Sequence, residues 1–464
     1  MDFISILVAA AVAAFVVALV LYFVSIFGCD TDSNDTWLPK LVVVTSLSFA
    51  CYNVLLLPFD VAIMRSGSSV AHNELLVEIL LVLTVAVIII HCFFMCPFAM
   101  VYYETIDPDY TTVWKKVRRA ATLTSILALS FCLLFVALWL SIGYSVFDYD
   151  LYTIKTSPQG NISKIEDFED AYAPAVLRFH VSPFLYLVAF TCVVGWSLFF
   201  VFGGVGFVNI PADLLTSFLH RPKPITAAEY AERRSEIAEE SQNLIEEGRA
   251  LEMEGDSGKD DVKYRRKVLL FKRKVSELEK YYNKIETSYH KQGGHVLRGY
   301  LCLVLSVLSA FMTVAWTLHI VMYNILQLHP MLNWVFDVLG DVSLTLCVTV
   351  YGSFAFYLLC CVVNGCIKLG GVLALFQIYP IEYNNTLMSS FLFNSILIMI
   401  TSMAVVQFCA MSFNSYSANT RINSMFMVYI GNLDGISYIV EYGVYAFLAV
   451  ASVSFVVLVG SRVV

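Results

Sequence analysis

The sequence predicts an all-α fold: a polytopic transmembrane helical bundle of about nine spans, with a cytosolic helical hairpin between spans five and six. Hydrophobic residues make up 59% of the 464 residues and charged residues only 14%, whereas a soluble domain carries about 25% charged residues. Mean hydropathy is +0.73. Apolar runs of about 20 residues, the length that crosses a hydrocarbon core, recur along the chain. The alternating segments of roughly ten residues that form an outer-membrane barrel are missing.

The nine predicted spans follow these apolar runs in order. They cover residues 3–28, 39–64, 75–103, 120–145, 181–208, 298–325, 337–364, 386–413 and 436–460. The chain is therefore predicted to have three domains: spans one to five within 1–208, the helical hairpin at 209–297, and spans six to nine within 298–464. No internal repeat relates the two groups of spans, which argues against an inverted-repeat transporter.

The positions of lysine and arginine predict the orientation, because these residues are enriched in cytosolic loops. Only five of the 29 fall on the side that holds the N-terminus. The short segment Trp114-Lys-Lys-Val-Arg-Arg119 weighs most, since short loops decide orientation. We expect the N-terminus outside or in a lumen and the C-terminus in the cytosol, in a plasma or endolysosomal membrane.

The long cytosolic insertion has a heptad pattern. Apolar residues of its first arm recur every seven residues, at Tyr230, Ile237, Leu244 and Leu251. After a turn at 254–261, the second arm has apolar residues at alternating steps of three and four, which predicts a coiled-coil seam. This seam consists of Val268, Phe271, Val275, Leu278, Tyr282 and Ile285. We expect an antiparallel hairpin that binds cytosolic proteins through 224–292. Alternatively, each arm packs beneath the membrane domain or on a partner's helix.

The predicted lumenal loop at 146–180 is the longest segment on the outer side. It contains Asn161-Ile-Ser163, a sequon on the side where glycans are added, so we expect a glycoprotein modified at Asn161. A second sequon at Asn384 falls on the predicted cytosolic side, where it stays unmodified. The loop is acidic but lacks the spacing of a calcium-binding loop, which favours a solvated loop over a metal site.

Polar residues inside the spans are candidates for function, because burying them in hydrocarbon is costly. These candidates are Asp60, His91, His319, Asp341, Asn394, Gln407 and Glu441. They can form a proton or substrate pathway, or each can find a polar partner and specify helix packing. The acidic members fall within a turn or two of the outer interface, which favours packing or an outward-facing vestibule over a proton pathway.

Signatures of enzymes and of nucleic-acid binding are missing from the sequence. There is no GxSxG, HExxH or Walker A motif. The net charge of −8 does not indicate a nucleic-acid partner. The twelve cysteines fall almost wholly inside the spans, without zinc-site spacing. We expect a protein that is not an enzyme and has no cofactor or metal.

Several segments, in order along nearly the whole chain, carry a family resemblance. They are Leu57–Val61, Pro97–Glu104, Phe202–Gly206, Arg221–Lys223, Val314–Trp316 with His319, Ser390–Asn394 and Val406–Cys409. With them the chain resembles the limb-region and lipocalin-interacting membrane receptor (LIMR) family, in its plant and protist branch. The resemblance implies nine spans and a cytosolic helical insertion. Members are described as receptors for endocytosis of lipocalins, or as lysosomal proteins that assist cobalamin export with an ABC transporter.

Two functions of different classes are compatible with these features. The favoured one is a multi-pass receptor or trafficking-type protein that binds a ligand on its outer side and acts in endocytic uptake. The alternative is a transporter or transporter-accessory subunit for a small molecule or cofactor. A hydrophilic midplane cavity lined by His91 and His319 would favour the transporter. A closed apolar bundle beneath an outer groove would favour the receptor.

Overall fold

A computed structural model describes the chain at residues 3–29, 37–65, 71–105, 113–152, 172–255, 262–290, 296–369, 381–383, 386–433 and 436–463. The α-helices are α1 (Phe3–Phe27), α2 (Trp37–Arg65), α3 (Ala71–Ile90), α4 (Cys96–Glu104), α5 (Val113–Ile142), α6 (Pro183–Leu198), α7 (Gly204–Leu219), α8 (Ala227–Gly255), α9 (Val262–His290), α10 (Val296–His319), α11 (Met331–Val342), α12 (Leu344–Leu369), α13 (Met388–Ser412), α14 (Asn414–Ser417), α15 (Arg421–Asn423) and α16 (Ile436–Val463). Four π-helical segments adjoin them: π1 (His91–Met95), π2 (Phe199–Gly203), π3 (Ile320–Ile325) and π4 (Ser424–Ile430).

The predicted fold class is confirmed, because nine helices in the described part of the chain are long and apolar enough to cross a membrane. They are Ala10–Phe27, Trp37–Arg65, Leu75–Glu104, Val113–Ile142, Pro183–Leu219, Leu297–Ile325, Leu344–Leu369, Met388–Ser412 and Tyr442–Gly460. The chain forms two compact units, one of Met1–Ile210 with Phe311–Val464 and one of Pro211–Ala310. Within the first unit α13 is the most completely buried span, as expected of a helix that is apolar on all sides.

Two glycines let span five approach α12 at backbone contact. A Cβ added to Gly206 would lie 1.7 Å from the carbonyl oxygen of Cys361, and one added to Gly365 would lie 1.9 Å from that of Phe202. Small residues permit such close packing in membranes, where apolar surface alone does not drive helices together. The glycines after Phe202 in the sequence therefore serve helix packing.

Span five extends further than the sequence predicts. The apolar pattern places its end near residue 208, but α7 continues through Pro211 to Leu219. Proline has no N–H, so it leaves the carbonyl four residues earlier without its helical donor. That carbonyl belongs to Phe207, and the Thr313 hydroxyl donates to it at 3.2 Å. A neighbouring helix thus replaces the missing hydrogen bond, as is common in membrane helices.

The predicted seventh span, 337–364, divides into two helices. α11 ends at Val342, Ser343 has an extended backbone, and α12 begins at Leu344. The Ser343 hydroxyl accepts a long hydrogen bond of 3.5 Å from the Leu346 amide, which is a helix-capping interaction at the start of α12. Asp341 therefore lies on a separate short helix before the span.

The predicted lumenal loop contains a two-stranded sheet, which the all-α prediction does not include. β1 (Tyr144–Tyr152) and β2 (Tyr172–His180) pair antiparallel, with Tyr144 opposite His180 and Tyr152 opposite Tyr172. We call this two-stranded sheet the β-ribbon. Phe147 and Phe179 stack on one of its faces, with ring centroids 5.5 Å apart. Such aromatic pairs stabilise a sheet that has only two strands. The predicted glycosylation site Asn161 lies outside the described residues.

In the second unit, α8 and α9 pair antiparallel. Tyr230 stacks on Tyr289 with ring centroids 4.2 Å apart near one end of the pair. Further along, Lys274 Nζ lies 2.9 Å from Glu247 Oε1. The first contact joins the start of α8 to the end of α9 and the second joins the interiors of the two helices, which is the arrangement of a helical hairpin.

The predicted seam of α9 is only partly buried. Ile285 is 3% exposed, and Phe271 and Leu278 are half-buried. Val275 and Tyr282 are 40% and 37% exposed, so burial of the seam fails at these two positions. The side chain of Val268 lies outside the described part. The reason lies in α8, whose seam has one residue per heptad against the two of α9 and cannot cover the whole stripe.

Candidate functional site: a cleft beside the β-ribbon

The ends of several spans meet at one face of the first unit, which we call the ribbon face. The β-ribbon joins it where the Val146 amide donates to the Asn432 carbonyl at 3.2 Å. The Ser145 hydroxyl donates to the same carbonyl oxygen at 3.2 Å. Odd and even spans alternate in direction, so the ends of α2, α5 and α13 share this face with the starts of α6, α12 and α16. This is the face that the sequence predicts to be outside.

Asp60 holds the connection between the last two spans. Its side chain is 1% exposed, and its Oδ2 accepts a hydrogen bond of 2.8 Å from the Ile422 amide. Ile422 lies in the first turn of the helical stretch that α15 and π4 form together. A carboxylate is favourable there, because the first amides of a helix are without helical acceptors and the helix dipole attracts negative charge. Asp60 therefore anchors π4.

Arg65 links α2 to α11 at the ribbon face. Its Nη2 lies 2.7 Å from Asp337 Oδ1, and its guanidinium lies over the Tyr416 ring, 3.9 Å from the centroid. The Tyr416 hydroxyl contacts Cys347 Sγ at 2.8 Å. Burial raises the pKa of the Tyr416 phenol, so the ring stays neutral beneath the cation. The arrangement combines an ion pair with a cation–π contact.

His319 caps the C-terminal end of α13. Ser412 is the last residue of that helix, where carbonyl groups have no helical donor. His319 Nε2 lies 2.9 Å from the Ser412 carbonyl oxygen, and the Asn333 amide donates to the same oxygen at 3.2 Å. The Asn324 amide donates to the Ser412 hydroxyl at 2.9 Å. Three polar side chains, one each from α10, π3 and α11, thus form hydrogen bonds with the last residue of α13.

The hydrogen bonds of His319 fix its protonation state. The Leu332 amide donates to Nδ1 at 3.2 Å, so Nδ1 carries no proton. Nε2 must then carry the proton that it donates to Ser412. Both ring nitrogens are occupied and the side chain is fully buried. His319 is therefore a neutral packing residue, and the geometry disfavours the proton pathway that the sequence leaves open.

Gln407 joins three elements in the interior of the bundle. Its Oε1 accepts from the Trp196 indole at 2.9 Å, and its Nε2 lies 3.4 Å from the Phe426 carbonyl of π4. Phe408 packs against Trp196 with ring centroids 5.8 Å apart. Nearby, the Asn53 amide donates to the Ser402 hydroxyl at 3.1 Å. These polar groups are enclosed by aromatic packing and hold the helices in register.

The other predicted polar residues lie apart from one another. His91 Nδ1 donates to the Val87 carbonyl at 2.9 Å and Nε2 lies 3.1 Å from the Thr45 hydroxyl. The buried Asn394 amide donates to Ser390 of its own helix at 2.8 Å. Asp341 is exposed, and the side chain of Glu441 lies outside the described part. His91 and Asn394 therefore make local hydrogen bonds at separate places.

A cleft of about 620 Å³ opens at the ribbon face above the bundle. Its polar lining consists of Tyr323, Asn324, Gln327, His329 and Asn432. Its apolar lining consists of Leu328, Pro330, Met411, Met427 and Val444, and Gly431 completes the lining. This volume lies within the range of about 300–1,000 Å³ of small-molecule sites, which also combine apolar walls with a few polar groups.

Irregular backbone surrounds the cleft. π3 contributes Tyr323 and Asn324, and π4 contributes Met427. Gln327 has φ of 52°, the positive-φ residue other than glycine in the described chain. π-helical turns and left-handed residues are costly, and both concentrate at functional sites. Asn324, which lines the cleft, also joins it to the end of α13, because its amide donates to the Ser412 hydroxyl at 2.9 Å.

None of the cleft residues is predicted from the sequence. The segment between spans six and seven reads as a connection, although Gln327-Leu-His-Pro330 combines polar side chains with a proline. Proline in a turn beside two span ends was the available signal. The π-helical turns had no signal of their own, because they depend on tertiary contacts.

Comparison with known proteins gives relatives over nearly the whole chain. Residues 5–296 match the family model of LMBR1-like membrane proteins. A LIMR family protein of Dictyostelium discoideum is 29% identical over 471 residues, covering 92% of this chain and 91% of the relative. One of Arabidopsis thaliana is 32% identical over 460 residues, covering 92% and 89%. One of Oryza sativa subsp. japonica is 30% identical over 480 residues, covering 96% and 94%. No solved structure matches significantly.

Proposed function

Because this chain belongs to the LMBR1-like family of membrane proteins, in which its curated relatives are LIMR family proteins, we propose that it is a receptor or trafficking-type protein. It binds a small amphipathic ligand in the cleft at its ribbon face and acts in endocytic uptake. The ribbon face is the outer or lumenal face in the orientation that the lysines and arginines predict. The role is binding, without catalysis.

The observation that carries this proposal is the cleft of about 620 Å³ at the ribbon face, which lies beside buried polar side chains that are held by fixed partners. A transporter needs polar groups that exchange partners along a path. Here His319 and Gln407 are fully buried and bonded to fixed partners. The arrangement supports ligand capture from one side over passage through the bundle.

The helical hairpin of α8 and α9 supplies the second half of the proposed function. It is the surface for cytosolic partners, through residues 224–292. Its exposed charged residues and its partly uncovered seam are the features that support a binding role. A protein with a ligand site on its outer side and a partner surface in its cytosolic insertion can connect ligand capture to trafficking.

A substitution that fills the cleft tests ligand binding. Leu328 is 68% exposed and lines the cleft, whereas Leu326, two residues earlier, is 53% exposed and does not line it. We expect Leu328→Trp to remove the bound ligand and Leu326→Trp to retain it. Mass spectrometry of molecules that co-purify with each full-length variant gives the readout, followed by cellular uptake of the molecule identified. Identical molecules bound to both variants would reject the cleft as the site.

A second experiment separates the receptor from a transporter or transporter-accessory subunit. Ser402 is fully buried in the middle of α13. In a receptor, a Ser402→Cys variant stays unlabelled by a membrane-impermeant thiol reagent, with or without ligand. Labelling that depends on the ligand would mean that the bundle opens, and would favour transport. The unsubstituted protein, with its own cysteines, is the control.

A further inference from the structure

The helical hairpin has an apolar stripe that its own two helices leave uncovered. The seam has two residues per heptad on α9 and one on α8, and the contacts between the helices bury Ile285 but leave Val275 40% and Tyr282 37% exposed. On α8, Ile245 is 53% exposed. Val275 and Tyr282 are one heptad apart on the same side of the helix. An apolar stripe on a helix pair is stabilised when a further helix packs against it and removes it from water.

The net charges of α8 and α9 indicate which kind of helix can cover the exposed stripe. α8 holds nine glutamates and three arginines, whereas α9 holds nine lysines or arginines and three glutamates. The net charges of −6 and +6 attract within one hairpin, where Lys274 pairs with Glu247. A helix that lies beside α9 must be acidic, and one that lies beside α8 must be basic. A second copy of the hairpin supplies both.

We propose that two copies of this chain associate through their hairpins into an antiparallel four-helix bundle. Around such a square each α8 adjoins two α9 helices and each α9 adjoins two α8 helices, so that opposite charges alternate. Val275 and Tyr282 then face the centre of the bundle. This inference rests on the partner surface proposed above, and the partner that binds there is a second copy of this chain.

Cysteine cross-linking of the full-length protein in lipid nanodiscs tests the arrangement. We expect a short bis-maleimide to link Val275→Cys, and likewise Tyr282→Cys, as a dimer, because the two α9 helices lie on a diagonal of the square, where the cysteines are too far apart for a disulfide. Lys280→Cys is the matched control, because Lys280 is exposed on the same helix but lies outside the heptad seam. The unsubstituted chain controls for native cysteines. Equal dimer yields from the seam and control positions would overturn the proposal.

Co-purification of two differently tagged copies gives an independent measure. We expect Val275→Asp to lower recovery of the second copy by about tenfold or more, since a charge is then buried without a partner. Lys280→Asp should leave recovery close to that of the unsubstituted chain. Unchanged recovery for Val275→Asp would overturn the proposal, even if both variants fold.

The same cysteines distinguish failure of the dimer from failure of the partner surface. If Val275→Cys links to a different protein in cells and gives no dimer, the second copy is rejected and the partner surface stands. If Val275→Cys links to the chain's own membrane spans, the stripe is covered internally, and both the dimer and the partner surface are rejected. Absence of any seam cross-link in nanodiscs and in cells rejects both as well.

Discussion

His319 shows how a polar residue can be buried in this bundle without serving transport. Both ring nitrogens have partners, and loss of the ring leaves the Leu332 amide without its acceptor and the Ser412 carbonyl with one donor fewer. We expect His319→Ala to destabilise the protein by about 1–3 kcal/mol, the cost of an unsatisfied buried group. His329→Ala, at an exposed histidine, is the control. Thermal unfolding in detergent checks this, and equal midpoints for the two variants would contradict it.

Asp60 is a second residue whose effect extends beyond its own helix. Its carboxylate holds the start of the stretch that leads into π4, and hydrogen bonds to charged groups contribute about 1.5–3 kcal/mol. Asp60→Ala should therefore destabilise the protein and increase hydrogen exchange across 422–430. Asp341→Asn, at an exposed carboxylate, should do neither. Unchanged exchange in π4 for Asp60→Ala would show that the anchor is dispensable.

At the scale of elements, the close contact between span five and α12 depends on two glycines, which have no side chain to separate the backbones. Gly206→Ala and Gly365→Ala would each force the backbones apart, because the new methyl group overlaps a carbonyl oxygen. Overpacking of this kind costs about 1–3 kcal/mol or more. Gly460 has no atom within 4 Å of an added Cβ, so Gly460→Ala is a matched control. We expect low yields of folded protein for the first two variants and a normal yield for the third.

The pairing of α8 with α9 is a second property of elements. Ile285 is its most buried seam residue, so Ile285→Asp should separate the two helices. Limited proteolysis of the full-length protein should then cut within 227–290 faster than in the unsubstituted chain. Lys280→Asp places the same residue at an exposed position and should leave the rate unchanged. Equal cleavage of the two variants would mean that the seam does not hold the pair.

At the scale of the whole molecule, the nine apolar helices among the described residues predict that the two ends of the chain lie on opposite sides of the membrane. We expect an N-terminal tag to be reached from outside in intact cells and a C-terminal tag only after permeabilisation. Asn161 should be glycosylated and Asn384 should not, because only the first lies on the predicted outer side. A glycosidase-sensitive mass shift that persists in Asn161→Gln would contradict this orientation, as would an externally accessible C-terminus.

The sequence alone determined the class of the protein, its predicted spans and its family. The comparisons show the family, and nine helices among the described residues are long and apolar enough to be the predicted spans. Hydrophobic length is a local property of the chain, because every span must match the thickness of the bilayer. The heptad pattern likewise placed α8 and α9 within the predicted insertion. The sequence also indicated the close approach at Gly203 to Gly206, since glycine in a membrane helix has few other uses.

Only the tertiary structure decided which contacts the polar residues make and where a cleft forms. Whether His319 relays a proton or caps a helix depends on which groups lie beside it, and those groups are 13 and 93 residues away. The cleft depends on π-helical turns, on Gln327 in the left-handed region and on the Asn432 contact with the β-ribbon. These features arise from contacts between distant segments, which the local pattern of a sequence does not record.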